Sequence, residues 1–130
     1  MSTVHLFISS GRFSSFAEIR QFVDPLYTDD GDMVPSRFMS EIDLDAYEPA
    51  AIEVMHVREN RPVPLEEILQ GVSYLEQWRQ QVPAGKTADS ALCVFAPNVP
   101  QAPARSSLEY VGSYDFQIVY PEWFKKILES

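Results

Sequence analysis

Of the 130 residues, one is cysteine, two are histidine and five are glycine. A lone cysteine, Cys93, forms no internal disulfide, which excludes a small disulfide-framework domain. It sits in the apolar run from Ala91 to Ala96 and reads as a buried strand residue. The histidines, His5 and His56, stand in no metal-ligand spacing, and each falls inside a predicted strand. A structural role is expected of both. Gly85-Lys86 lacks the Gly-x-x-x-x-Gly-Lys loop that would cradle phosphates. A Gly-x-Ser-x-Gly elbow and a His-Glu-x-x-His helix are missing too. No apolar run approaches the roughly 18 residues that cross a bilayer. The opening MSTVHLFISSGRF has no basic region, and its apolar stretch is short for a secretion signal. The expectation is a cytoplasmic protein without membrane contact.

Bases are the other shortage: 10 Lys and Arg face 19 Asp and Glu, a formal net charge of −9. A nucleic-acid-binding protein needs a basic face to displace counterions, so nucleic acid is disfavoured as a partner. The imbalance is local. Residues 24–53 hold nine acids (Asp24, Asp29, Asp30, Asp32, Glu41, Asp43, Asp45, Glu48, Glu53) against one base, Arg37. That segment nets −8, leaving the rest of the chain nearly neutral. Such a segment suits a basic protein partner, or serves solubility.

What is present is ordinary globular material: 45% hydrophobic, 22% charged and 12% aromatic residues. A chain of this length buries about two-thirds of its unfolded surface, enough for one core. A single domain over residues 1–130 is expected.

Residues 3–9 read as a buried strand, ended by Ser9-Ser10-Gly11. Ser15 and Glu18 have capping-box spacing and open a helix to Val23, which Asp24-Pro25 stops. Residues 26–35 read as a loop, and Ser36 opens a short helix through Ile42 with Phe38, Met39 and Ile42 inward. Residues 43–49 are irregular. Residues 51–57 are apolar on both faces, which predicts an interior strand. Leu65, Ile68, Leu69, Val72, Leu75, Trp78 and Val82 form a stripe that predicts one long helix over 64–81. Gly71 within it points to close packing. Residues 90–96 read as a strand, 97–107 as a stiff, exposed, proline-rich loop, and 108–120 as a strand with a bulge at Gly112. A last helix follows Pro121. This order predicts an α+β fold: a mixed or antiparallel sheet of about four strands with helices packed against it.

Asp29-Asp30-Gly31-Asp32 resembles a calcium loop in composition alone. With Gly31 at loop position six, Leu26 replaces the first carboxylate and Arg37 the bidentate glutamate. An acidic turn with Gly31 at positive φ is the expectation. Asp43 and Asp45 are a carboxylate pair without an apolar pocket, which reads as a solvated face. No catalytic, metal or cofactor set is expected. Tyr27, Phe38 and Tyr47 lie among the acids, either as core edges or as binding anchors. The expected partner-binding set is Asp29, Asp30, Asp32, Asp43, Asp45, Tyr47 and Glu48. The competing surface is the proline-rich loop with the edge of the C-terminal strands.

Two stretches carry a family likeness. One is Tyr27-Thr-Asp-Asp-Gly-Asp-Met-Val-Pro-Ser-Arg-Phe followed by Ile42-Asp-Leu-Asp-Ala-Tyr-Glu-Pro; the other is Leu108-Glu-Tyr-Val-Gly-Ser-Tyr-Asp-Phe. With the opening strand, they resemble the immunity protein 22 family of bacterial polymorphic toxin systems over roughly residues 3–116. The resemblance implies a small cytoplasmic protein that binds a cognate toxin and blocks it, without enzymatic activity or cofactor. The toxins of such systems differ widely, and many are nucleases. It marks Gly31, Pro35, Gly112 and Tyr114 as fold-determining, and residues 97–107 as a departure from the family pattern. An acidic adaptor or secretion chaperone for a basic protein is the alternative. The oligomeric state is open.

Overall fold

The computed structural model describes residues 1–44 and 46–129. Its first strand, β1 (Ser2–Ser9), alternates between two buried faces: Val4, Leu6 and Ile8 on one, Phe7 on the other. Helix α1 (Phe16–Val23) starts where the Ser15 side chain accepts from the Glu18 amide at 3.2 Å. The Glu18 carboxylate reaches back one residue further than a capping box requires, accepting from the Ser14 amide and hydroxyl. Those bonds lower the Glu18 pKa.

Residues 26–34, expected as a loop, form a small hairpin: β2 (Leu26–Tyr27) pairs antiparallel with β3 (Met33–Val34). Gly31 takes φ +87 in its turn, and the Gly31 amide donates to the Thr28 carbonyl at 2.9 Å. Helix α2 (Arg37–Ile42) is capped by Ser36 and buries Phe38, Met39 and Ile42.

Strands β4 (Ile52–His56), β7 (Ser90–Phe95) and β8 (Glu109–Phe116) join β1 in an antiparallel sheet of order β4-β7-β1-β8. The α+β expectation holds, with the antiparallel alternative realised. The expectation of an interior β4 does not hold, because β4 is an edge. Its apolar faces come from layers rather than lateral neighbours. Ile52 and Val54 pack with α1 and α2, while Met55 packs against the opposite layer. Helices cover both faces of the sheet, so even an edge strand is apolar on both sides.

The long helix over 64–81 is broken into α3 (Leu65–Ile68) and α4 (Leu75–Trp78), followed by a 3-10 turn over Arg79–Gln81. The small pair β5 (Val63–Pro64) and β6 (Thr87–Ala88) closes this layer at its base. Gly71 adopts φ +87 and Tyr74 φ +59, both outside right-handed helix space. A Cβ on Gly71 would meet nothing within 4 Å, so the glycine serves the turn and not close packing. Left-handed backbone at Tyr74 costs about 1–2 kcal/mol. Stacking on Phe116 at 4.7 Å between ring centroids offsets it. The stripe itself is buried as read: its residues pack in one cluster around Trp78, which lies flat on Tyr114 at 5.5 Å.

Strand β8 ends at Phe116, four residues before the predicted end. Its bulge is where expected. Leu6 faces Gly112, and Phe7 faces Tyr110, so Val111 has no opposite number on β1. Helix α5 (Glu122–Glu129) follows and buries none of its residues.

Candidate partner-binding surface

The expected site residues lie on three pieces of chain. Asp29, Asp30 and Asp32 are exposed at the turn of the β2–β3 hairpin. The hairpin also exposes Leu26, Tyr27 and Val34, so three apolar side chains flank its acidic tip. Asp43 caps the C-terminal end of α2 in a left-handed conformation, φ 56, and is exposed. Glu48 precedes the 3-10 turn over Pro49–Ala51, and its carboxylate accepts from the Ala50 amide at 3.1 Å. Asp45 lies outside the described residues. Among the described residues, the side chains of Asp29, Asp30, Asp32 and Asp43 make no hydrogen bond or ion pair. Among the described residues, no hydrogen bond or ion pair joins the hairpin acids to Asp43 or Glu48.

Tyr47 is built differently. It is half-buried, and its hydroxyl donates to the Asp24 carboxylate, which also takes a two-pronged contact from Arg20 at 3.0 and 2.6 Å. An Asp at the C-terminal end of α1 opposes the helix dipole, and Arg20 one turn earlier compensates. Burial first, and the Asp24 carboxylate second, raise the Tyr47 pKa above its ordinary 10.0.

The proline-rich loop over 97–107 is the feature that sequence reasoning misjudged most. Asn98 and Pro100 are buried. The Asn98 side chain accepts from the Glu48 amide at 2.7 Å and donates to the Glu48 carbonyl at 2.9 Å, pairing with Glu48 as a strand neighbour would. The Gln101 and Ala102 amides donate to the Asp43 and Ile42 carbonyls at 3.3 and 2.9 Å. The Ser107 amide and hydroxyl both donate to Glu41 at 2.8 Å. The loop therefore clamps the acidic segment from α2 to Glu48. Asparagine capture of a backbone N–H and C=O leaves no spacing signal; the departure from the family pattern at 97–107 was the one available pointer.

The histidines sit in β1 and β4 as read. His5 Nδ1 meets the Tyr110 hydroxyl at 3.0 Å, and burial lowers its pKa. His56 borders a groove of about 450 Å³, with Nδ1 on the Ser90 hydroxyl at 2.8 Å and Nε2 on Asn60 Oδ1 at 2.6 Å. The Ser90 hydroxyl also lies 3.0 Å from Asp89, a buried carboxylate that holds the Gly11 amide at 2.7 Å. Serine, histidine and aspartate thus meet, but with serine in the middle and 2% exposed. A nucleophile needs its hydroxyl on the open side and its base behind it. This set pins β4, β7 and the turn at Gly11 together. Cys93 is fully buried, and burial raises its pKa, the opposite of a reactive thiol. Among the described residues, no three His, Cys, Asp or Glu converge as metal ligands.

No curated protein and no solved structure matches this chain. A family model described as Immunity protein 22 matches residues 4–117, nearly the span of the resemblance read from the sequence. The match contains all four strands of the sheet but for Ser2 and Thr3, with its covering helices α1 to α4, and stops one residue after β8. The chain belongs to the Immunity protein 22 family.

Proposed function

We propose that this chain neutralises a cognate bacterial toxin by stoichiometric binding, with its acidic segment laid against a basic face of the toxin. Four carboxylates carry the reading: Asp29, Asp30, Asp32 and Asp43 are exposed, and their side chains have no hydrogen-bond or ion-pair partner among the described residues. Like charges kept together without a partner repel one another and weaken the compact state. A partner turns that cost into attraction. Glu48 belongs to the same acidic segment, as Asp45 does in sequence, and Tyr47 supplies an anchor already held by Asp24 and Arg20. A nuclease, whose cleft is basic because it binds phosphates, is the toxin chemistry this charge pattern fits best. Inhibition is occlusion and needs no catalysis, metal or cofactor. Neither nucleic acid nor membrane is a partner, and the setting is the cytoplasm of a bacterium in competition.

Co-expression with the product of the adjacent gene, followed by co-purification and a toxicity assay, tests the reading. A stable complex and rescued growth are expected. The double variant His5→Ala with His56→Ala should still protect, once shown to be folded. Binding without rescue would make the chain an adaptor or secretion chaperone. Loss of rescue by a folded, toxin-binding double variant would make it an enzyme.

A further inference from the structure

Helix α5 has the pattern of a docking element. Trp123, Phe124, Ile127 and Leu128 lie on one side, and Glu122, Lys125, Lys126 and Glu129 on the other. Trp123 is 64% and Leu128 66% exposed. Eight residues fall short of the about 12–15 at which an isolated helix becomes even marginal in water, so its stability has to come from packing. The family match ends at residue 117, so this helix lies outside it.

The same chain carries a groove of about 1120 Å³ between α3, α4 and the turn before β6. Leu69, Leu75 and Val82 line it, with the charges of Glu66, Glu67 and Arg79. These three charges make no ion pair among the described residues, and neither do Lys126 and Glu129 of α5.

We propose that a second copy of this chain fills the groove: α5 of each copy docks in the groove of the other, closing a two-fold dimer. No residue of α5 lines the groove of its own chain. The Gln77 side chain holds Gln117, donating to its carbonyl at 2.9 Å and accepting from its amide at 2.8 Å. Leu75 of α4 and Arg79 of the 3-10 turn after it line the groove, whereas Gln77 between them does not. The tail is therefore held at a residue outside the groove.

Charge favours a second copy docked in this way. Two chains of −9 repel through their acidic segments, but the charges of α5 cancel. Lys126 complements Glu66 and Glu67, and Glu129 complements Arg79. An exchanged element of this kind makes an isologous contact that closes after two copies. The inference is independent of the toxin reading.

Sedimentation velocity on the full chain over a wide range of concentration tests it, with acrylamide quenching of tryptophan alongside. Trp78 is buried, so Trp123 dominates the quenching. The expected result is a concentration-dependent dimer with Trp123 shielded in step. Trp123→Ala with Leu128→Ala, both exposed, should give a monomer with unchanged circular dichroism and melting temperature. Arg79→Glu should weaken the dimer several-fold, and adding Glu129→Arg should restore it. A chain that is monomeric throughout, or a dimer that survives the tail variant, would overturn the proposal. So would a monomer with Trp123 shielded, because the helix would then be docked on its own chain.

Discussion

The Tyr47 hydroxyl donates to the Asp24 carboxylate, and Arg20 grips the same carboxylate from α1. An aromatic side chain at the middle of the acidic segment is thereby fixed before any partner arrives. Ordering a free tyrosine on binding costs about 0.5–1.5 kcal/mol, and a fixed one avoids most of that. Tyr47→Phe removes the hydroxyl alone. It should lower stability by about 1 kcal/mol in urea unfolding, since the pair is half-exposed. It should speed toxin dissociation while leaving the association rate alone. An unchanged off-rate would remove Tyr47 from the interface.

Asn98 is the second fixed point. Asn98→Ala strands the Glu48 amide and removes one of two donors to the Glu48 carbonyl, which keeps the Ala51 amide at 3.1 Å. The expected cost is about 1–3 kcal/mol, read as a lowered urea midpoint with an unchanged slope. Stability equal to the parent would mean that water serves Glu48 as well as Asn98 does.

Much of this architecture is legible in the sequence because burial writes itself as period. β1, β7, α1, α2 and the stripe around Trp78 all follow from apolar spacing, and Ser15 and Ser36 mark helix starts by their own side chains. The misreadings have physical causes. Glycine at 71 was compatible both with a tolerated helix residue and with a turn, and only the packing of Tyr74 on Phe116 selects the turn. Edge and interior strands look alike when helices cover both faces, as at β4. The acidic site residues are visible as composition, but their separation onto a hairpin turn, a helix end and a clamped segment is not. Asn98 holds backbone atoms, for which a sequence has no signature.

Gly112 and Gly71 separate two uses of glycine. At Gly112, φ is +155, and a Cβ would stand 3.3 Å from the Tyr114 hydroxyl oxygen. Gly112→Ala then strains the bulge and presses on a ring stacked against Trp78. A loss of about 1–3 kcal/mol is expected by urea unfolding, with a change in near-ultraviolet circular dichroism from the shifted aromatic pair. Gly71→Ala strains the backbone alone and should leave that spectrum unchanged. Identical spectra for both variants would show that the Tyr114 contact is slack.

Glu41 couples the clamp to pH. Partial burial acts to raise its pKa, but bonds from the Ser107 amide and hydroxyl and from Arg37 outweigh it, and the net shift is below the ordinary 4.5. A depressed carboxylate stabilises the fold above its unfolded pKa and loses that contribution as pH falls through the folded value. Glu41→Gln should therefore be less stable than the parent at neutral pH. The two should converge once pH falls below the folded value, which lies under the ordinary 4.5. A stability gap that persists unchanged into that acid range would assign the effect to shape and not to charge.

The central claim is that exposed carboxylates of the acidic segment meet a basic toxin face. Asp29 and Asp30 test it most cleanly: both are exposed at a turn, neither side chain has a partner, and neither has positive φ. Asp43 is a poorer choice because its left-handed backbone favours Asp or Asn over Lys. The measurement is the association rate of toxin with the parent and with Asp29→Lys/Asp30→Lys, from low salt upward. Exposed charges are screened beyond about 10 Å at 0.1 M salt. The parent should associate fast at low salt and slow steeply as salt rises. The variant should associate at least about tenfold more slowly at low salt, with a flatter salt dependence. Equal rates and equal salt dependence for both proteins would contradict the claim and move the interface elsewhere on the molecule.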